Sequence, residues 1–134
     1  MIAAGDIQTI LINKVKASNL GVDKVTKDKH APVTKDANFE RVVVNVLATK
    51  KGSWSEGFCN INIFVPDITI RGYPEPDNAR LTELERKGIA IIGRGFTGSF
   101  EGSVYFFALD TSGKEEDSET FSHFINLRLT FQNI

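Results

Sequence analysis

"GFCNINIFVPD", residues 57–67, sets one cysteine and two asparagines inside an apolar run. Extended by its neighbours, the stretch alternates. Cys59, Ile61, Ile63 and Val65 share one face, while Asn60 and Asn62, flanked by Phe58 and Phe64, share the other. A period of two is what a strand buried on one side requires, so the segment predicts a strand with two unlike faces. Pro66 ends it, because a proline has no N–H to give to a ladder. Cys59 then sits among three aliphatic side chains. Such a surrounding raises a thiol's pKa and keeps it inert, so the cysteine reads as core packing rather than as a nucleophile.

Upstream, "RVVVNVLATKK", residues 41–51, is a β-branched run with Val42, Val44 and Val46 on one face and Val43, Asn45 and Leu47 on the other. Apolar side chains on both faces predict a central strand. "KKGSWSEG", residues 50–57, joins the two strands, most simply as an antiparallel hairpin with a long, protruding connection. Ile7, Ile10, Leu11 and Val15 recur at helical spacing, with Asp6 near the positive N-terminal end and "SNLG", residues 18–21, as the stop. The lysine-rich residues 22–40 hold a short edge strand near 22–27, where lysines discourage unwanted pairing.

Downstream, "GYPEPDNARL", residues 72–81, reads as a proline-pinned connection into a second helix capped by Asn78. Leu81, Leu84, Gly88, Ile91 and Ile92 make its apolar stripe, and "GRG", residues 93–95, its stop. "SVYFFALD", residues 103–110, is a strand, and "TSGKEEDSET", residues 111–120, reads as a solvated loop. In the last segment Ile125, Leu127, Leu129 and Phe131 alternate with Asn126, Arg128 and Thr130. The expectation is one α+β domain over residues 1–134. It has an antiparallel or mixed sheet of four to five strands with two helices packed on it, in the order α-(β)-β-β-α-β-β.

A chain of 134 residues with 41% hydrophobic residues and ten phenylalanines can build one core without metals or disulfides. The single cysteine cannot pair within the chain, which points to a reducing compartment. The start of the chain carries no positive charge before an apolar run, so no export signal is expected, and no segment reaches the length of a membrane span. The net charge of −1 gives no general attraction to nucleic acid or anionic lipid. That charge is unevenly spread. Residues 1–51 hold nine Lys or Arg against five Asp or Glu, and residues 52–134 hold seven against twelve. The split is either two solvated surfaces or a basic and an acidic flank that let copies associate head to tail.

Motifs for chemistry fail on context. "GRGFTG" matches G-x-G-x-x-G at Gly93, Gly95 and Gly98, but it follows a helix and leads into a strand, the reverse of a dinucleotide site. "GSWSEG" does not satisfy G-x-S-x-G, and the only histidines are His30 and His123, the latter expected at an edge or surface. No C-x-x-C, H-x-x-x-H or calcium-loop spacing occurs. Asp67, Glu75 and Asp77 around the prolines are the nearest thing to a carboxylate cluster, and with Glu115, Glu116, Asp117 and Glu119 they read as surface charges. No residue is therefore assigned a catalytic, cofactor-binding or metal-binding role. The surface feature that stands out is Trp54 between Lys50, Lys51 and Glu56. At a hairpin tip it would suit a contact surface or stack on a nucleobase, unless it folds back over the sheet edge.

The opening "MIAAGDIQTIL", the block "ERVVVNVLATKKGSWSEGFCNINIFVPDI", the lead "PDNARLTELERKG" and the closing "FSHFINLRLTFQNI" together resemble phage and prophage tail-completion proteins. These are also described as head–tail joining or tail-terminator proteins. The resemblance spans most of the chain in order, though its words are turns and hydrophobic alternation rather than a chemical signature. It implies a non-enzymatic α+β subunit without cofactor, assembling as a homo-oligomer, commonly a hexameric ring. Its partners would be the tail tube and head-connector proteins, with DNA passing through the lumen unbound and no membrane involved. Its place would be the virion tail or neck, or the bacterial host cytoplasm during assembly. The alternative from the residues alone is a small nucleic-acid-binding module using Lys50, Lys51, Trp54 and the lysines of residues 24–35. A third reading is a hydrolase or metal-dependent nuclease built on Asp67, Glu75 and Asp77.

Overall fold

Alternating apolar residues in three strands leave one greasy sheet face, and two amphipathic helices cover it. The computed structural model describes residues 2–27, 39–49 and 56–133. In chain order the elements are α1 (Ala4–Ala17), β1 (Lys24–Lys27), β2 (Arg41–Thr49), β3 (Glu56–Pro66), β4 (Ile68–Ile70) and β5 (Tyr73–Glu75). There follow α2 (Asn78–Ile92), β6 (Phe96–Phe100), β7 (Ser103–Asp117), a 3-10 turn (Ser118–Thr120) and β8 (Ser122–Asn133). Six strands form one sheet in the order β1-β2-β3-β8-β7-β6, antiparallel except for the parallel pair β1 and β2. The fold is α+β.

The expected faces of β3 are the observed ones. Cys59, Ile61, Ile63 and Val65 lie level with Val44 and Val42 of β2 and with Leu129, Leu127 and Ile125 of β8, and all are buried. Ile7, Leu11 and Val15 of α1 close this face over β1 and β2; Leu81, Leu84 and Ile92 of α2 close it over β3, β8 and β7. At Gly88 the helix backbone comes so near the sheet that an added Cβ would lie 2.6 Å from Leu127 Cδ1 and 3.3 Å from Ile63 Cδ1. The helix-free face is held by side chains. Asn126 Nδ2 donates to Asn60 Oδ1 at 3.1 Å and to Asn62 Oδ1 at 2.7 Å, the Phe64 and Phe124 rings stack at 4.6 Å, and the Arg128 guanidinium lies 4.2 Å from the Phe58 ring centre. The asparagines of the opening stretch are thus one polar ladder across neighbouring strands.

Four expectations need correction. The strands exceed four to five, because residues 68–75 form a separate hairpin that takes in the start of the connection expected over residues 72–81, and residues 96–100 form an edge strand. Residues 111–117 are the second half of β7, not a solvated loop; they pair with β8 from Thr111 opposite Arg128 to Asp117 opposite Ser122. A bulge at Asp110 precedes them, and Glu119 sits in the 3-10 turn. The cap of α2 is Asp77, whose Oδ1 accepts from the Arg80 N–H at 3.3 Å; Asn78 is the first helical residue. His123 is not at an edge, since β8 lies between β3 and β7.

Arg80 ties three parts of the chain together. Its guanidinium donates to Glu40 Oε2 at 2.6 Å, to Glu40 Oε1 at 2.7 Å and to the Gly21 carbonyl at 3.1 Å. The first turn of α2 is so bound to the lead of β2 and to the turn that ends α1. Glu40 holds the Arg80 guanidinium well above its ordinary pKa through these bonds.

Candidate interaction surface

The residues singled out from the sequence do not converge. Lys50, Lys51 and Trp54 lie outside the described residues, as does His30; Glu56 is exposed at the start of β3, opposite Gln132 of β8. Cys59 is fully buried, and desolvation pushes its thiol up to about 12, the condition of an inert core thiol. Asp67, Glu75 and Asp77 have three separate jobs. Asp67 meets His123, Asp77 caps α2, and Glu75 stands exposed opposite Ile68. Among the described residues no group of three His, Cys, Asp or Glu side chains could hold a metal ion. Gly93 takes φ 58 and ends α2, while an added Cβ at Gly95 would lie 2.5 Å from Phe106 Cζ and 2.8 Å from the Phe107 carbonyl. The glycine motif is a helix stop and a packing site for aromatic residues.

What the sequence reading missed is a projecting arm. β4 and β5 pair only with each other in the sheet topology and are joined by two residues, Arg71 with φ 53 and Gly72 with φ 84. Positive φ at both positions is the two-residue hairpin turn whose twist matches the strands. Opposite partners in the register share a face, so Ile68, Ile70, Tyr73 and Glu75 form one side and Thr69 and Pro74 the other. Ile68 is 42%, Ile70 48% and Tyr73 70% exposed, which leaves an apolar side partly open to solvent. The signals were an I-T-I alternation and a glycine turn, both too short to stand out.

The root of the arm is fixed. His123 Nδ1 and Asp67 Oδ1 are 2.7 Å apart, both side chains largely buried, and the Asp67 N–H donates to the Phe121 carbonyl at 2.9 Å. Phe121, with φ 48 and 46% exposed, adds apolar surface at the same end of the sheet. Beside it Arg41 is fully buried on the helix-free face, 4.4 Å from the Phe64 ring centre, and donates to Thr120 Oγ1 at 3.1 Å. Burial pulls its guanidinium below the ordinary pKa, and Asp117 opposes that pull.

Fourteen chains of known structure match this one. One of them aligns over 96% of this chain and 90% of its own, with a TM-score of 0.52 and 16% identity. That likeness shows the fold alone, and the name of that protein states no function. No family model and no curated protein matches. No helix among the described residues is long and apolar enough to cross a membrane.

Proposed function

We propose that this chain is a non-enzymatic structural subunit of a phage or prophage tail or neck. It assembles with copies of itself, as a ring, at the end of the tail tube or at the head–tail junction. The observation that carries this reading is the β4–β5 arm. Its root is pinned by Asp67 and His123, yet its side bearing Ile68, Ile70 and Tyr73 is turned to solvent. A hairpin that holds apolar side chains open to solvent is suited to another polypeptide surface. The resemblance of the sequence to tail-completion proteins supplies the identity of that surface.

The test is to mix the purified protein with assembled tail tubes and, separately, with head-connector protein, and to image the products by electron microscopy. The wild type caps one end of the tube or joins the connector, and Ile70→Ser with Tyr73→Ser does neither while keeping its far-UV circular dichroism. Bare tube ends and free connectors with the wild type overturn the reading. Salt-sensitive binding of single-stranded DNA with quenching of Trp54 would replace it with the nucleic-acid alternative.

A further inference from the structure

The six-stranded sheet has two unequal open edges. One is β1, four residues long, whose outer side carries no strand among the described residues. The other is divided. β6 pairs only with Ser103–Phe107 of β7, so residues 111–117 of β7 keep β8 on one side and no strand of this sheet on the other. Unpaired strand edges expose rows of N–H and C=O groups that invite a further strand.

These edges differ in charge. β1 holds Lys24 and Lys27, and the open stretch of β7 holds Glu115, Glu116 and Asp117. The residues of opposite sign are held within their own chain, and Lys24 itself lies over the Phe39 ring, 4.9 Å from its centre. Lys114 Nζ donates to Asn78 Oδ1 of α2 at 2.8 Å, and Asp23 Oδ2 accepts from the Glu40 N–H at 3.0 Å. One cross-strand row joins the two edges: Lys24, Arg41, Phe64, Phe124, Glu115. Lys24 and Glu115 are exposed at its two ends.

Strand direction fits as well. β1 runs with β2, β3 runs against it, β8 with it, and β7 against it. A β1 from another copy, brought beside β7 with the sheet continuing, therefore meets it antiparallel. The four residues of β1 need only part of the open length of β7. Pairing like edges with Lys24 against Lys24, or Glu115 against Glu115, would set equal charges together, so a two-fold contact is disfavoured and a head-to-tail contact is favoured.

Building on the assembly reading above, we propose that β1 of one copy adds antiparallel to the open edge of residues 111–117 of β7 in a second copy, with Lys24 meeting Glu115. The contact leaves one β1 and one β7 edge free at the two ends of any open assembly. Repetition gives a ring where the rotation closes and a filament where it does not.

The experiment is a charge swap followed by sedimentation velocity at several concentrations in low salt. Wild type associates with rising concentration, and Lys24→Glu or Glu115→Lys alone weakens that association about tenfold. Lys24→Glu has an acidic side chain facing the contact at both edges and Glu115→Lys a basic one at both, so an equimolar mixture of the two regains association that neither shows alone. Unchanged urea midpoints establish that each variant is folded. Association that survives both single reversals, or a mixture no larger than its components, overturns the edge contact while the wild type's association leaves the assembly reading standing. A wild type that stays monomeric throughout also overturns the edge contact, and the tube-capping assay then decides the assembly reading by itself.

Discussion

Gly88 and Gly5 both lie in helices, and replacing each with alanine should change stability in opposite directions. At Gly88 the new methyl would lie 2.6 Å from Leu127 Cδ1, 3.3 Å from Ile63 Cδ1 and 3.8 Å from Leu127 Cγ. Carbon atoms rest at about 3.5–4.0 Å, so the Leu127 methyl must retreat by about 1 Å or α2 must rise from the sheet. Leu127 is 1% exposed and Ile63 fully buried, which leaves little room for either. Overpacking of this kind costs about 1–3 kcal/mol. Alanine gains about 1 kcal/mol over glycine in a helix interior, so Gly88→Ala should lose up to about 2 kcal/mol. At Gly5 nothing lies within 4 Å of the new methyl, and Gly5→Ala should gain about 0.5 kcal/mol. Urea unfolding followed by circular dichroism gives both values. Trimming the obstacle in Gly88→Ala with Leu127→Val should cost less than the sum of the two single changes, because the second removes what the first collides with. A Gly88→Ala protein as stable as Gly5→Ala would refute the close packing of α2 on β8.

Two further outcomes follow from the bonds and the burial described above. Arg80→Ala and Glu40→Gln should each destabilise by about 1 kcal/mol, with a coupling of similar size in the double-mutant cycle that shrinks in 1 M salt, because both side chains are partly exposed. A coupling under about 0.3 kcal/mol would mean that the pair does not hold α2 to β2. Cys59 should resist thiol reagents at pH 8 until the protein is unfolded. Its folded pKa of about 12 lies above the 9.0 of a free thiol, so both states are protonated below pH 9 and its contribution is constant there. Between pH 9 and 12 the unfolded state loses the proton and the folded state keeps it, so stability falls by up to about 1.4 kcal/mol per pH unit. Cys59→Ala should flatten that part of the profile, and a wild-type profile with the same slope as the variant would contradict a buried thiol.

The parts of the fold legible in the sequence are those whose side chains a core constrains. β3 and β8 carry the period of two because one face of each is sealed by the helices, β2 shows as a β-branched run buried on both faces, and the helices carry their stripes for the same reason. Residues 111–117 carry no such period. Their side chains are mostly exposed, and what makes them a strand is the backbone ladder to residues 122–128, which charge patterning does not report. The arm and β6 were missed in the same way, as short strands with water on much of their surface. Asp67 and His123 meet across a separation of 56 residues that only the tertiary fold closes. Of the contact surface expected from the sequence, Glu56 is exposed at the start of β3, and Lys50, Lys51 and Trp54 fall outside the described residues.

Charge on an open strand has two physical explanations, and this sheet distinguishes them. A strand edge kept soluble by charge works with either sign, or with both mixed, because its only task is to make unwanted pairing costly. Here the signs are sorted: Lys24 on one edge and Glu115 on the other stand at opposite ends of a single cross-strand row, with Glu116 and Asp117 following Glu115. Lys114 and Asp23, of the opposite sign, are held by Asn78 and by the Glu40 backbone, as Lys24 is by the Phe39 ring. Simple solubility gives no reason for such a sorting, whereas a head-to-tail contact needs it, since each edge must repel its own kind and accept the other. The mixture of Lys24→Glu with Glu115→Lys separates the explanations, because solubility alone predicts two charged monomers that ignore each other apart from weak, salt-screened attraction. Only a sheet continuing from copy to copy predicts that they build a stoichiometric assembly whose strands gain protection from hydrogen exchange at residues 24–27 and 111–117.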